Sequence, residues 1–175
     1  MIVKNRIFLL FIISFFPYII YSQSWTQYGD DINGGATEDY SGISISLSGD
    51  GQKIAIGSSK YGLSNKGHVR VFRLSGGISW VQEGGNIDGE AAADESGRTV
   101  SLNNDGTILA IGAILNDGNG NRSGHVRVYH WDGSNWVQRG ADIDGEAAED
   151  QAGYVSLSSD GTVLAIGAPR NDGNS

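Results

Sequence analysis

Gly67-His68-Val69-Arg70-Val71-Phe72 returns later in the chain as Gly124-His125-Val126-Arg127-Val128-Tyr129. Both copies alternate apolar and polar side chains, the period-2 pattern of a strand with two unlike faces. Working outward, the landmarks keep step. Trp25, Trp80 and Trp136 head three units, 25–79, 80–135 and 136–175, the last one unfinished. Asp50-Gly51, Asp105-Gly106 and Asp160-Gly161 recur with a spacing of 55, as do Gly57, Gly112 and Gly167. A fixed period of this size means a solenoid, a propeller or an array of small domains.

Each unit reads as four strands. The first alternates: Ser44-Ile45-Ser46-Leu47, then Val100-Ser101-Leu102, then Val155-Ser156-Leu157. An Asp-Gly turn follows, a strong hairpin signal because Gly accepts positive φ at little cost. The second strand, Lys53 to Gly57, Ile108 to Gly112 and Val163 to Gly167, is mostly small and apolar, as expected of a strand covered on both faces. A Gly/Asn-rich loop leads to the third strand, 67–74 and 124–131. A second turn leads to a fourth strand that carries the Trp. Four strands per period of about 55 is the blade pattern of a propeller. A row of separate units is disfavoured, because so short a unit cannot close its own core. The expected fold is therefore all-β: propeller blades, each a four-stranded antiparallel sheet, two complete and others partial. Trp25 to Ile32 reads as the last strand of a preceding blade. Closure takes four to eight blades, so completion is expected from further blades of a longer protein or from other copies.

Composition agrees. The 175 residues include 27 Gly, and only 18% are charged. Gly costs about 1 kcal/mol in a helix interior relative to Ala, so this chain is poorly suited to helices. There is no Cys, which excludes disulfides, thiolate metal sites and Cys nucleophiles. A net charge of −8 repels phosphate backbones and speaks against nucleic acid as a partner.

Residues 1–22 read as a signal peptide: Lys4 and Arg6 open it, Ile7 to Ile20 are apolar, and Ser22 is small enough for the cleavage position. The apolar stretch is short for a membrane span of roughly 20 residues, and Pro17 weakens a straight helix. The mature region, 23–175, is then expected to be secreted or at the cell surface, with no membrane span.

The repeats resemble the FG-GAP repeat, the blade unit of the integrin α-subunit propeller and of bacterial surface proteins. The matching stretches are Leu164-Ala165-Ile166-Gly167-Ala168-Pro169, its looser copy Leu109 to Ile114, and the Gly-x-Val-x-Val-aromatic strands at 67–72 and 124–129. The resemblance runs from about Trp25 onward. The strand-and-turn pattern is also similar to WD40-type blades, with the same architecture. The family's Phe-Gly pair is replaced by Ser41-Gly42, Ser96-Gly97 and Ala152-Gly153. The family's acidic calcium loop lies between the first two strands. Here that place holds Ser48 to Gly51, Asn103 to Gly106 and Ser158 to Gly161, too short and too poor in carboxylates for that cage.

Calcium has two other candidate places. Asp117, Asn119 and Asn121 put oxygen ligands on alternate residues of a tight loop, the spacing that turns side chains toward one hard cation. Arg122 stands where such loops need Gly, and a flexible turn-rich loop fits the stretch equally. Asp142, Asp144 and Glu146 are denser in carboxylates, echoed by Asn86 to Glu90, and read either as a cation site or as solvated turn residues. These six residues are the metal candidates, ranked together. His68 and His125 share one repeat position on the polar side of their strands, with no third ligand evident, so a surface or inter-blade role is expected. The unit-opening Trp residues are expected to fill the wedge between blades. Trp131, outside the repeat, is the better candidate for an exposed aromatic.

Because polar residues recur as copies, the pattern suits structure or multivalent contact better than a catalytic centre, which needs different residues in different roles. The expectation is an exported, non-enzymatic module for binding or adhesion, with an extracellular protein or glycan as partner. The alternative is the scaffold of a secreted hydrolase whose catalytic residues lie beyond residue 175.

Overall fold

The computed structural model describes residues 26–62 and 64–173. The segment 1–22, for which a signal peptide is expected, and Trp25 lie outside these residues. Twelve strands and no helix occur among the described residues, so no helix there is long and apolar enough to cross a membrane.

The first sheet comprises β1 (Ser41–Leu47), β2 (Lys53–Ser58), β3 (His68–Ser75), β4 (Ser79–Gln82) and β5 (Ile87–Asp88). Its hydrogen-bonded order is β1-β2-β3-β4, all antiparallel, with β5 on β3 beyond the end of β4. The second sheet repeats this with β6 (Thr99–Leu102), β7 (Ile108–Ala113), β8 (His125–Trp131), β9 (Trp136–Gln138) and β10 (Ile143–Asp144). The third is a pair, β11 (Tyr154–Leu157) and β12 (Leu164–Gly167). These are two complete propeller-type blades and part of a third. The Asp-Gly segments form the expected hairpins between first and second strands, with Gly51, Gly106 and Gly161 all at positive φ.

Two departures from the sequence reading bear on the site. Residues 26–40 hold no strand, although they occupy the position of a blade's closing segment: Gly29 lies against the Trp80 indole just as Gly84 lies against Trp136. An isolated edge has no β3-type partner on which to pair. The short β5 and β10, by contrast, stand in stretches for which the sequence offers a cation site or solvated turn residues and no strand. They form because β3 and β8 outrun β4 and β9, leaving free ladder groups at His68, Val69, His125 and Val126.

The sheets stack face to face. Ala55, Val69, Val71 and Ile87 of the first join Val100, Leu102, Leu109, Ile111 and Tyr129 of the second in one buried cluster, with Trp136 packed against it. Burying each such aliphatic side chain is worth about 1.5–3 kcal/mol. Equivalent residues show what the stacking does. Val100 and Leu102 are 8% and 7% exposed, whereas Ile45 and Leu47, one repeat earlier, are 64% and 55% exposed. On the opposite end, Ala165 is exposed where Ala55 and Ala110 are fully buried.

Candidate functional site

The polar side chains that recur with the repeat are spent mainly on the seam between sheets. The hydroxyl of Ser44 donates to the Gly97 carbonyl at 2.7 Å, and Thr99 does the same to Gly153. The Leu102 N–H donates to Ser46 Oγ, and the Leu157 N–H to Ser101 Oγ, both at 2.9 Å. Backbone bonds from Gly49 to Asn104 and from Asn104 to Ser159 continue the seam. The close approach requires glycine at Gly57 and Gly112, where a Cβ would fall on the carbonyl oxygens of Gly97 and Gly153.

A second repeated device was missed in the sequence. Asp39, Asp94 and Asp150 are buried, and each sits at the corner leading into a first strand. Asp39 accepts from the N–H groups of Gly35, Ala36 and Ser41. Burial pushes its carboxyl up, but these three N–H groups and Arg70 outweigh burial and hold it below the usual range. Asp94 accepts from Ala91 N–H and Asn116 Nδ2, and Asp150 from Ala147 N–H and Asn171 Nδ2. The flanking residues Glu38/Tyr40, Ala93/Glu95 and Glu149/Gln151 all have φ between 53° and 68°. Such strained non-Gly positions persist only where surroundings over-determine them. The readable signal was the spacing of Asp39, Asp94 and Asp150 inside three related segments, 32–42, 87–97 and 143–153.

The two regions singled out for calcium do meet. Asn119 Nδ2 donates to the carbonyls of Gly145 and Glu146, and Asn121 Nδ2 to Glu149. Backbone bonds from Glu149, Gln151 and Ala152 to Asn121, Arg122 and Ser123 pin the loop, so it is a clasp between sheets, not a free turn. Asp117 Oδ1 caps the Arg122 N–H, which lies at φ 51° and does the turning a Gly would do. The amide nitrogens of Asn119 and Asn121 face carbonyl and carboxylate acceptors. Asp144 lies in β10 beside Gly118, and Glu146 beside Asn171.

Asp142 alone of the six enters a three-ligand group. One ligand atom each from Glu90, His125 and Asp142 lies within 4.8 Å of the others. His125 Nδ1 is 3.9 Å from Asp142 Oδ2 and 4.0 Å from Glu90 Oε2. Gln138 holds the other Asp142 oxygen at 2.7 Å, and Arg127 stands 3.6 Å from the other Glu90 oxygen. Both histidines are buried, and His125 has two carboxylates beside it. Burial, then Arg127, lower the His125 pKa against the opposing pull of Asp142, Glu90 and Asp94, so the ring is neutral near pH 7. In the sequence Glu90 stands out only as part of the 86–90 echo, because His125 lies on a strand far along the chain.

Trp136 fills the wedge as expected, its indole N–H donating to the Glu83 carbonyl of the preceding sheet at 3.1 Å. Trp131 is half-buried against Trp136, with ring centroids 5.5 Å apart, which corrects its reading as an exposed aromatic.

The seam, the corner and the hairpins fall within one repeat, and residues 87–129 match the FG-GAP repeat family. The chain carries an FG-GAP repeat. The match spans β5 through β8, so it contains the second-strand, loop and third-strand order that recurs at 53–72. No curated protein matches the chain. Among solved structures, one described as a candidate 6-phosphogluconolactonase from Bacteroides uniformis is similar at 17% identity with a TM-score of 0.48. The alignment covers 70% of this chain, and the chain spans 32% of that protein's length.

Proposed function

We propose that this FG-GAP repeat chain is an extracellular, non-enzymatic binding module, exported by the segment 1–22 and used for adhesion at the cell surface. The observation that carries this reading is how the repeated polar groups are used. Ser44, Ser46, Thr99 and Ser101 join sheet to sheet, and the buried Asp39, Asp94 and Asp150 brace the corners that lead into the first strands. That leaves the blade edges and loop ends as a rigid frame for contact, and binding residues commonly sit on loops held by such scaffolds. The acidic balance and the export segment favour a protein or glycan outside the cell. The open faces at Ile45 and Ala165 receive further blades of the same kind. Binding to arrays of extracellular proteins and glycans tests the reading. Saturable, selective binding by the purified chain supports it. Absence of any selective ligand, together with hydrolase turnover by the same preparation, favours the enzyme-scaffold alternative.

A further inference from the structure

We infer that Glu90, His125 and Asp142 form a site for one divalent transition cation of the zinc class, stapling the first two blades together. The three residues come from separate places: Glu90 from the connection between β5 and β6, His125 from the start of β8, and Asp142 from the residue before β10. They converge on one point. His125 is 2% exposed, and its Nδ1 faces both carboxylates without reaching hydrogen-bonding distance of either. A buried nitrogen set between two carboxylate oxygens at 3.9 and 4.0 Å leaves room for an ion bonded to all three. Bonds of about 2.0–2.2 Å from nitrogen and oxygen span such separations at an obtuse angle. Glu90 and Asp142, 45% and 29% exposed, have freedom to draw closer.

The donor set selects the cation. One imidazole with two carboxylates suits zinc and its neighbours. Calcium takes six to eight oxygens and gains nothing from an imidazole. Three protein ligands leave a position for water. Among the described residues, the second blade alone is equipped this way. At the matching place in the first blade, Gly35 and Asn86 stand where Glu90 and Asp142 stand, and Tyr61 stacks on His68 with centroids 3.8 Å apart. The first blade closes its histidine site with a ring, and the second leaves two carboxylates aimed at it. Arg127 engages the Glu90 oxygen that does not face the imidazole, so the facing oxygen remains available.

The test titrates the full chain, stripped with a chelator, with Zn2+, Co2+ and Ca2+ separately, by calorimetry and thermal unfolding. One Zn2+ per chain is expected, with a rise in Tm of several degrees. Co2+ should give ligand-field bands, and Ca2+ at the same concentration should leave Tm unchanged. Glu90→Gln and Asp142→Asn should each weaken Zn2+ binding at least tenfold while keeping the metal-free Tm. These side chains are partly exposed, so loss of binding is separable from misfolding. No Zn2+ binding, Zn2+ binding unaffected by both substitutions, or Ca2+ binding as tight as Zn2+ would each overturn the assignment.

Discussion

The Leu102 N–H donates to the Ser46 hydroxyl at 2.9 Å across the boundary between two sheets, and Ser101 takes the same bond from Leu157 one repeat on. Each bond satisfies a strand N–H that faces the neighbouring blade. Removing the acceptor leaves a part-buried donor unpaired, which costs about 1–2 kcal/mol. Ser46→Ala and Ser101→Ala are therefore expected to destabilise by that amount. Ser156, the third copy, is exposed, and Ser156→Ala should be neutral within about 0.5 kcal/mol. Urea unfolding of the three variants decides this, and equal losses at all three positions would refute it.

Gly112 and Gly167 occupy one repeat position with different surroundings. A Cβ on Gly112 would meet the Gly153 carbonyl of the next sheet, while one on Gly167 would meet Tyr154, its Cβ at 3.3 Å and its carbonyl oxygen at 3.7 Å. Gly112→Ala, and Gly57→Ala by the same geometry, should cost on the order of 3 kcal/mol as the sheets are forced apart. Gly167→Ala should be mild. Melting temperatures of the three proteins give the comparison.

This contrast also marks what the sequence could convey. The strand order, the hairpins and the blade count were legible because Val/Ile alternation and Asp-Gly turns are local signals, and they recur. The recurrence of Gly57, Gly112 and Gly167 was visible, but its reason was not, since the atom each glycine makes room for lies in another sheet. Glu90, His125 and Asp142 were hidden for the same reason. They are separated by long stretches of chain, and only the stacking of blades brings them together. The alternate oxygen-bearing residues at 117–123 likewise do not reveal that Asn119 and Asn121 turn their nitrogens toward Gly145, Glu146 and Glu149.

Asp94 carries a corner that is strained at Ala93 and Glu95. Its carboxylate holds Ala91 N–H and the Asn116 amide, both at 3.0 Å. Asp94→Ala leaves the buried Asn116 amide and the part-buried Ala91 N–H without this partner and should cost about 1–3 kcal/mol. Asp94→Asn keeps an acceptor for one of them and should cost less. Denaturant midpoints of the two variants rank them, and the reverse order would contradict this account of the corner.

His68 sets an acid sensitivity. Burial first, then Arg70, lower its pKa below 6.5, against the pull of Asp88 and Asp39. The unfolded chain therefore takes up the proton before the folded one does. Stability should be full above about pH 6.5 and fall as pH drops below it, because the unfolded state binds more protons there. Asp39 and Asp160, both lowered from 3.8 and Asp160 to about 2, add a separate loss below about pH 4 as they are protonated. His68→Gln should reduce the decline below pH 6.5 without touching the lower one, the remainder coming from His125, whose pKa is lowered by the same burial. Unfolding midpoints across pH in wild type and variant check this, and an unchanged slope would exclude His68 as its source.

The open face of the first sheet offers Ile45 and Leu47 in the positions where Val100 and Leu102 are buried by a neighbouring blade. The other end offers Ala165, whose counterparts Ala55 and Ala110 are fully buried. The two faces are the two halves of one interface already formed twice within the chain. A contact of this head-to-tail kind joins copies without a two-fold axis. The purified chain is therefore expected to self-associate as its concentration rises, by stacking the Ile45 face of one copy on the Ala165 face of another. Ile45→Lys with Leu47→Lys should leave it monomeric at unchanged secondary structure, since both positions are exposed in the single chain and their replacement removes no internal contact of the core. Sedimentation velocity over a concentration series measures the difference. Association that survives the double substitution would place the contact elsewhere, and a wild-type chain that stays monomeric throughout would show that a second copy does not cover this face.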